Sequence, residues 1–406
     1  MKHIIVLGGG AAGFFAALAV KDISPGTNVT LLEKSSILLN KVRVSGGGRC
    51  NVTHSCFDPQ QLITHYPRGG KELLGPFTKF QPRDTIQWFE SRGVDLKTEP
   101  DGRIFPVSNS SSTIIDCLQN ESGKLNVDIR TKQRVEKIIK QNHSFLLTLA
   151  SGEVMACDYL LLATGSHPQG YEFAKAFGHT IQEPVPSLFT FNIPSSPLND
   201  LSGISLERVA LELVGTRLKQ TGPLLITHWG FSGPAALKLS AWGARVLNQH
   251  HYKMNLSVDW LPEITKEKVM DTLFNLRLAH PAQILSLKNQ FNLPKNLWKR
   301  FVNLSGIDEN KRLSEISNDL FQRLGDCLKT QLFQIDGKTT YKEEFVTCGG
   351  ITLSEVNFKN FESRLCQGLF FAGEILDIDA VTGGFNFQNA WTSGWIAGKS
   401  IGNFSN

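Results

Sequence analysis

Apolar runs separated by short polar breaks organise the N-terminal part of the chain. The stretch HIIVLGGGAAGFFAALAV opens with an apolar run, passes three consecutive glycines and continues with small and apolar residues at helical spacing. NVTLLEK then supplies a second apolar run that ends in a charged pair. Because helices and strands bury faces with different periods, this pattern predicts a strand, a tight turn, a helix and a second strand.

Similar runs recur later in the chain. The segments KQRVEKIIKQ and SFLLTLASGEVMACDYLLLATGS predict alternating strands that turn at Ser151-Gly152 and end in a buried strand, Tyr159–Ala163. A last strand is predicted over Gly368–Ala372, followed by a terminal helix from about Phe385. Small residues recur at every fourth position of this helix and form a face that can lie close to another helix: Ala390, Gly394 and Gly398.

The middle of the chain has a different pattern. Prolines between Pro184 and Pro197 mark an exit from the first sheet. Short apolar runs then predict a β-rich part, and three later segments have helical period. We therefore predict an α/β fold whose domains are residues 1–186 with 345–406, a β-rich insert of residues 187–261 with 332–344, and a helical insert of residues 262–331.

Composition narrows the class of protein. The 406 residues are 41% apolar and 19% charged, which fits a globular protein of several domains. A net charge of +5 permits an anionic ligand, but no dense run of Lys and Arg indicates nucleic acid. The first strand leaves no room for a secretory signal, and no apolar stretch approaches the roughly 18 residues of a membrane helix. Seven scattered cysteines without a C-x-x-C motif indicate reduced thiols, so we expect a cytoplasmic protein without a metal site.

The three glycines fit a dinucleotide-binding turn. In G-x-G-x-x-G, Gly8 would allow the sharp turn, Gly10 the close approach of a pyrophosphate, and Gly13 tight packing of helix on strand. The helix amides near Ala11 and Ala12 would face the phosphate charge. Glu33, twenty residues after Gly13, ends the second strand, where a carboxylate would bind the ribose hydroxyls; Lys34 follows it.

Further motifs carry a family resemblance. Six motifs occur in this order: LGGGAAGFFAAL, LLEK, KVRVSGGGRCNVT, LITHWGFSGPAAL, VTCGGI and AGEILDIDAVTGGFNFQNAW. They resemble the BaiN-type, or aminoacetone-oxidase-like, bacterial FAD-dependent oxidoreductases within the glutathione-reductase-like FAD superfamily. The resemblance implies a Rossmann-like FAD-binding domain built from both chain ends, with an inserted β-barrel-like part interrupted by a helical part. It also implies either enone reduction or amine oxidation.

The same resemblance implies cofactor contacts outside the first motif. The backbone of Val135 would meet the adenine, and Thr164-Gly165 would form the A-T-G turn. The last helix would point its N-terminus at the pyrimidine end of the flavin and stabilise negative charge on the reduced ring. Its loop and first turn contain further candidate cofactor-binding residues: Gly373, Glu374, Asp377, Gly383, Gly384, Phe385 and Asn386. Many relatives have Tyr and Leu where this chain has Phe385 and Phe387, so any hydroxyl contact there is lost.

The loop NKVRVSGGGRCNVTH is the most unusual stretch. Ser45, Gly46, Gly47 and Gly48 cannot form a stable helix, and amides of this loop are expected along the flavin ring near N5 or O4. Lys41, Arg43 and Arg49 would bind the pyrophosphate or an anionic substrate. The alternative is a flexible surface loop with solvated charges.

Three residues are candidates for catalysis: His228, Arg49 and Cys50. His228 is expected at a strand-to-helix junction, where Ser232 would cap the helix begun by Pro234, and its imidazole suits proton transfer. A structural histidine is the alternative. Cys50 lacks a partner at dithiol spacing, which favours a buried small residue over a redox thiol.

Two functions follow from this sequence. The favoured one is an FAD-dependent oxidoreductase that transfers hydride through flavin N5 to or from a small-molecule substrate. No second G-x-G-x-x-G has a strand and helix around it, so reduction is left to transient NAD(P)H, another protein or the substrate. The alternative is a flavoprotein that binds RNA or a protein partner and uses FAD as a structural or redox-sensing group. Its contact face would be formed by basic residues of the helical part, although a solvated helix surface explains them more simply: Lys295, Lys299, Arg300, Lys311 and Arg312. The oligomeric state stays open.

Overall fold

The computed structural model describes residues 2–339 and 346–405. Contacts divide the chain into two units, of which the first joins Met1–Ser187 to Tyr341–Asn406 and the second is Leu188–Thr340. The predicted domain border at residues 344 and 345 lies outside the described residues. Within the described ranges, none of the helices has the length and apolar character needed to span a bilayer.

The helices are bounded as follows: α1 Ala11–Ile23, α2 Asn40–Gly48, α3 Pro59–Leu62, α4 Gly70–Phe77, α5 Pro82–Glu90, α6 Ser111–Lys124, α7 Pro168–Ala176, α8 Pro234–Trp242, α9 Ala244–Gln249, α10 Lys266–Ala279, α11 Lys295–Leu304, α12 Asn318–Lys329 and α13 Phe385–Ser405.

The strands are β1 His3–Leu7, β2 Asn28–Leu32, β3 Thr53–His54, β4 Leu96–Thr98, β5 Arg103–Pro106, β6 Asp128–Arg130, β7 Val135–Gln141, β8 Ser144–Leu149, β9 Val154–Cys157, β10 Tyr159–Leu162, β11 Ile181–Ser187, β12 Thr190–Asn192, β13 Ser205–Leu213, β14 Lys219–Thr227, β15 Gly230–Ser232, β16 Lys253–Asp259, β17 Gln331–Asp336, β18 Lys338–Thr339, β19 Val346–Ile351, β20 Val356–Asn357, β21 Glu362–Ser363 and β22 Leu369–Phe371.

The first unit is built on a mostly parallel sheet. Its strand order is β20-β21-β22-β10-β1-β2-β6, and the five strands from β22 to β6 run parallel. The interior strands are buried on both faces, as their continuous apolar runs predict. Strands β7, β8 and β9 form a separate antiparallel sheet, as predicted from their alternation. Both chain ends therefore contribute to one Rossmann-like sheet.

Helices α1 and α13 pack against each other unusually closely. A Cβ atom on Gly394 would lie 2.5 Å from the carbonyl oxygen of Ala12, and one on Gly398 would lie 2.3 Å from that of Ala16. Only glycine permits such an approach of two backbones. The small-residue face expected on the last helix thus packs on the first helix, and the two chain ends form one core.

The second unit contains a closed antiparallel sheet. Its strand order is β17-β16-β13-β14-β15-β12-β18, and every neighbouring pair is antiparallel. The two strands at the ends of this order are joined by Gly337 alone. The amide of Gly337 donates to Tyr252 and its carbonyl accepts from Asn192, so one continuous segment pairs on both sides. The sheet is a small barrel, which confirms the expected barrel-like part.

A helical part follows β16 in the same unit. The predicted helices in EITKEKVMDTLFNLRLAH, PKNLWKRFVNLSGI and LSEISNDLFQRLGDCLKT are confirmed as α10, α11 and α12. Trp260 and Trp298, both almost fully buried, belong to the apolar core that this part shares with the barrel strands. Apolar residues at helical spacing therefore bury one face of each helix.

We predict that Gly398→Ala destabilises the fold. Because its Cβ meets a backbone carbonyl that cannot turn away, we expect a loss of about 1–3 kcal/mol in the free energy of unfolding. Gly123→Ala in α6 is the matched control, since no atom lies within 4 Å of its added Cβ. A helical Gly→Ala change without a clash is expected to be neutral or stabilising by about 0.5–1 kcal/mol. Equal denaturant midpoints for the two variants would contradict the predicted close contact.

Candidate cofactor site

The turn after β1 has room only for glycine. Gly8 has φ +119°, and a Cβ on it would lie 2.3 Å from the carbonyl oxygen of Ala163. A Cβ on Gly13 would lie 2.0 Å from the carbonyl oxygen of Gly8. These contacts pack the start of α1 directly onto the strand ends, as the motif predicts.

The N-terminus of α1 is open to an anion. Gly10 is its N-cap and provides no side-chain cap, no acidic residue lies in the first turn, and no atom lies within 4 Å of a Cβ built on Gly10. The amides of Ala11 and Ala12 therefore belong to a helix end with positive partial charge and free space beside it. This is a cradle that any side chain at position 10 would fill.

Glu33 is held in place at the end of β2. Its two carboxylate oxygens accept from the amides of Gly9 at 2.9 Å and Ser35 at 2.8 Å. Each oxygen keeps a lone pair, so the fixed carboxylate retains the capacity to accept from ribose hydroxyls. Lys34 beside it is exposed.

The Gly383-Gly384 turn opens the last helix. Both residues have positive φ, and a Cβ on Gly384 would lie 2.6 Å from the carbonyl oxygen of Thr53. No acidic residue lies in the first turn of α13, so its positive end is not neutralised there. The side-chain amide of Asn386, predicted to bind the cofactor, accepts from and donates to the backbone of Ala380. It therefore fixes the preceding loop.

Phe385 stacks on two neighbouring imidazoles, whose own ring centroids are 6.0 Å apart. Its ring stacks on His65 at 4.2 Å and on His54 at 4.7 Å between centroids. The Tyr66 hydroxyl donates to the Phe385 carbonyl at 2.6 Å. These contacts fix the first residue of α13 through its ring and its carbonyl group.

A buried ion pair fixes the loop that precedes α13. Asp379 is fully buried and pairs with Arg68, and the Ser187 hydroxyl donates to its carboxylate at 2.7 Å. Burial raises the pKa of the Asp379 carboxyl, whereas the Arg68 and Ser187 contacts act in the opposite direction. The pair joins segments that are 311 residues apart in sequence.

Gln388 organises a second buried polar group. Its amide oxygen accepts from Thr53 at 2.6 Å and Thr85 at 3.0 Å, and its amide nitrogen donates to Thr392 at 3.0 Å. Thr392 in turn donates to the carbonyl of Phe80. Because every member has a partner, the network orients α13 against β3 and α5 without an unsatisfied polar group.

The A-T-G turn meets the loop after β22. A Cβ on Gly165 would lie 3.6 Å from a carboxylate oxygen of Glu374, and Glu374 pairs with Lys41. The other Glu374 oxygen accepts from the amide of Thr347 at 3.0 Å. The structure thus brings together three residues predicted to bind the cofactor, and pairs Lys41 with a protein carboxylate.

Two further predicted contact residues lie near these elements. Val135 is buried at the start of β7, and its carbonyl accepts from the Gln169 side chain at 2.6 Å. The amide of Asp377 donates to the carbonyl of Ile351. Neither observation tests a cofactor contact, so both assignments stay predictions.

Two features of the first unit fit parts of FAD. The free space beside Gly10 at the N-terminus of α1 suits the pyrophosphate, and the fixed Glu33 carboxylate suits the ribose hydroxyls.

The glycine loop contains the short helix α2, which loses helical geometry at Ser45 and the glycines. Within α2, Ser45 is extended, Gly46 and Gly47 have positive φ, and Gly48 has φ +83°. The Ser45 hydroxyl donates to the carbonyl of Val42, and the Ser45 carbonyl accepts from the amide of Cys50. Glycine is required at these positions because their φ values are positive, as expected. The contact of the loop amides with a flavin ring stays a prediction.

Arg49 is bound to neighbouring side chains. Its guanidinium pairs with Glu99 at 2.6 Å and lies 4.0 Å from the ring centroid of Phe105. This arrangement favours a structural role in the loop over catalysis. Arg43 is exposed, and its carbonyl accepts from Ser111.

Cys50 is fully buried. Burial raises the pKa of its thiol to about 12, although a hydrogen bond with Ser45 acts in the opposite direction. A thiolate is the reactive form of cysteine, so this environment disfavours a redox or nucleophilic role.

His228 belongs to the second unit. It lies in the β14–β15 turn, not at a strand-to-helix junction, and is exposed, with its ring 4.2 Å from that of Trp229. The Thr227 hydroxyl closes the turn by bonding to both backbone groups of Gly230. The expected Ser232 cap is wrong: Gly233 is the N-cap of α8 and no side chain caps it, because the β15 pairing keeps Ser232 in the sheet.

Several residues at this site carry no local sequence signal. Three contacts join positions more than 300 residues apart: Arg68–Asp379, Tyr66–Phe385 and Thr53–Gln388. His54 follows the glycine loop, which is the one hint that sequence offers for its position. The residues that support α13 therefore could not be identified from the sequence.

Family comparison decides the classification. The model of the HI0933-like protein Rossmann domain matches residues 2–400. The chain belongs to the HI0933-like family. This HI0933-like protein is thus an oxidoreductase of an FAD-dependent, Rossmann-type family, as the sequence resemblance predicted.

Two curated relatives span nearly the whole chain. A 3-dehydro-bile acid delta(4,6)-reductase of Clostridium scindens is 29% identical over 98% of this chain and 99% of the relative. A ribosomal RNA dihydrouridine synthase of Escherichia coli is 30% identical over 98% of this chain and 97% of the relative.

Solved structures support the fold. The 3-ketosteroid-delta4-(5alpha)-dehydrogenase of Rhodococcus jostii RHA1 matches with TM-score 0.53 and 13% identity over 99% of this chain and 97% of its own. The 3-ketosteroid delta1-dehydrogenase of Sterolibacterium denitrificans has the same TM-score and identity, with both chains covered completely.

We predict that Cys50→Ala leaves flavin reduction and reoxidation within about twofold of wild type, since a thiol with a pKa of about 12 is protonated at neutral pH. Stopped-flow absorbance of the bound flavin measures both rates. In the native protein, mass spectrometry after treatment with an alkylating reagent at neutral pH should find Cys50 unmodified, because its side chain is fully buried. A large loss of either rate in the alanine variant would contradict a structural role.

We predict that Asp379→Leu is strongly destabilising, because it leaves Arg68 without its buried counter-charge. Breaking a buried pair costs about 3–5 kcal/mol, whereas replacing both partners by apolar residues costs less. Urea denaturation should therefore rank Arg68→Leu/Asp379→Leu above the single variant in stability. Retention of FAD after gel filtration should follow the same order; the reverse order would exclude a coupled pair.

Proposed function

We propose that this HI0933-like protein is a reductase that adds hydride to a carbon–carbon double bond conjugated to a carbonyl group. Bound FAD would supply hydride transfer at N5 of its isoalloxazine ring. The observation that carries the proposal is the pair of helix ends at Gly10 and Gly384, held in one unit by the α1–α13 contact.

The relatives support this choice of substrate chemistry. A 3-dehydro-bile acid with double bonds at positions 4 and 6 is a conjugated ketone. Dihydrouridine is uridine with a saturated C5–C6 bond, and that bond in uracil is conjugated to a carbonyl. Both named activities therefore act on the same functional group, which amine oxidation does not share.

Different residues of the chain would bind the cofactor, stabilise negative charge and transfer a proton. The first-turn amides of α1 would bind the pyrophosphate, and Glu33 would bind the ribose hydroxyls. The N-terminus of α13 would stabilise negative charge that develops beside it. His228, exposed on a turn fixed by Thr227, is kept as the candidate proton donor, because an imidazole nitrogen suits transfer of a proton to the carbon adjacent to a carbonyl group.

A uridine base in RNA is the second candidate substrate. Two relatives named as ribosomal RNA dihydrouridine synthases, from Escherichia coli and Haemophilus influenzae, each cover 98% of this chain. The mild net charge of the whole chain does not indicate nucleic acid, but the excess of basic residues lies entirely within residues 188–340, which supports this candidate.

We predict that anaerobically reduced holoenzyme is reoxidised by a 3-keto-4-ene steroid acid or by uridine in RNA, and that His228→Gln slows this step by about 10²-fold or more without releasing FAD. His250→Gln, another exposed histidine of the same unit, is the matched control. Stopped-flow flavin absorbance measures the rate, and mass spectrometry measures the saturated product. Bleaching of the oxidised flavin by an amine, with no reoxidation by either unsaturated carbonyl, would overturn the proposal. NADH and NADPH, tested in the same instrument, identify the reductant.

A further inference from the structure

The positive charge of the chain is concentrated in the second unit. Residues 188–340 hold 18 of the 42 Lys and Arg but only 13 of the 37 Asp and Glu, so the whole net charge of +5 falls in this stretch. Within it, residues 288–312 contain six basic and two acidic side chains. A charge that is mild for the whole protein is therefore substantial for one local surface.

Helix α11 presents part of this charge. Its inner face buries Leu297, Trp298 and Phe301, whereas Lys295 and Lys299 lie one helical turn apart on the outer face. Arg300 pairs with Asp200 at 2.5 Å, but neither lysine forms an ion pair with a described residue. The outer face of α11 thus offers two cations to a ligand.

Two neighbouring segments add three more cations. The Trp298 indole donates to the carbonyl of Leu285 at 3.1 Å, which holds α11 on the 3-10 turn Leu285–Leu287, and Lys288 follows that turn directly. Arg312 forms a β-bridge with Ile284, next to the same turn. These bonds place five cations on neighbouring segments, which together are called the basic face: Lys288, Lys295, Lys299, Lys311 and Arg312.

The chemistry around the basic face fits RNA better than an acidic protein. Asp308 and Glu309 are the two acids in this stretch, and both are exposed near Lys311. Exposed amide side chains lie in the loop and first turn that carry Lys295, and a half-exposed aromatic ring is among them: Gln290, Asn292, Asn296 and Phe291. Lysines contact phosphates, amides bond to base edges and aromatic rings stack on bases, whereas a carboxylate surface needs only the cations.

We propose that the basic face binds single-stranded RNA through its phosphates. The inference rests on uridine as substrate of the proposed reduction, and it assigns substrate capture to a surface of the second unit. A solvated helix surface, which the sequence alone favours, is the alternative. The fold supports RNA binding because it brings together cations from three segments.

The test compares two double variants of the oxidised holoenzyme. Lys295→Gln/Lys299→Gln removes two cations from the basic face, and Arg217→Gln/Lys219→Gln removes two exposed cations from the β13–β14 hairpin of the same unit. The probe is a fluorescent, uridine-rich RNA oligonucleotide, and its anisotropy is measured over a series of salt concentrations. A polyglutamate chain of equal charge tests for general polyanion binding.

The basic-face variant is expected to bind the RNA about tenfold more weakly and to lower the slope of log K against log salt by about 1.4, at about 0.7 for each phosphate contact of a single strand. The hairpin variant should match wild type. Equal affinity and slope in the two variants, or equal binding of polyglutamate and RNA by wild type, would overturn the proposal. Because binding is read without turnover, failure of the proposed reduction would appear separately, as reduced flavin that no unsaturated carbonyl reoxidises.

Discussion

The backbone contact between α1 and α13 is the constraint on which the cofactor site depends. Gly394 and Gly398 let two helices from opposite chain ends approach until side chains no longer separate them. This contact fixes where both helices begin, since a helix is rigid along its length. One begins at the turn that suits a pyrophosphate and the other at the turn that suits a ring bearing negative charge. If larger residues separated the two helices, each N-terminus would still form, but the distance between the N-termini of α1 and α13 would no longer be fixed.

Buried polar contacts then orient the end of α13 that the glycines bring close. Arg68 and Asp379 hold the loop before the helix, two imidazoles hold Phe385, and Gln388 ties the first turns to two threonines. Such contacts contribute little net stability in place of apolar packing, but they have one satisfied geometry. Their value at this site is therefore orientation: a cofactor that transfers hydride needs fixed surroundings on the scale of a hydrogen bond.

The sequence predicted those parts of the fold that depend on residues close together in the chain, such as a glycine turn or a regular helical spacing. The turn at Gly8 was predictable because only glycine tolerates the carbonyl of Ala163 beside it, and the terminal helix because its small residues recur at every fourth position. The partner of Asp379 was not predictable, because an ion pair between residues 68 and 379 leaves no periodic trace in either segment. The expected Ser232 cap failed for a related reason: local capping preference was overridden by pairing of β15 in the barrel.

The two-stranded ladder of β11 and β19 has a consequence for how this architecture diversifies. Ser187 pairs with Val346, so the chain leaves the first unit and returns to it on neighbouring strands. Paired residues in such a ladder lie only about 5 Å apart, a gap that a short hairpin spans. Evolution could therefore exchange the entire intervening segment as a cassette without disturbing the strands that flank it. A single flavin-binding domain would then acquire new substrates by recombination at this one pair of strands, while the residues around the flavin stay unchanged.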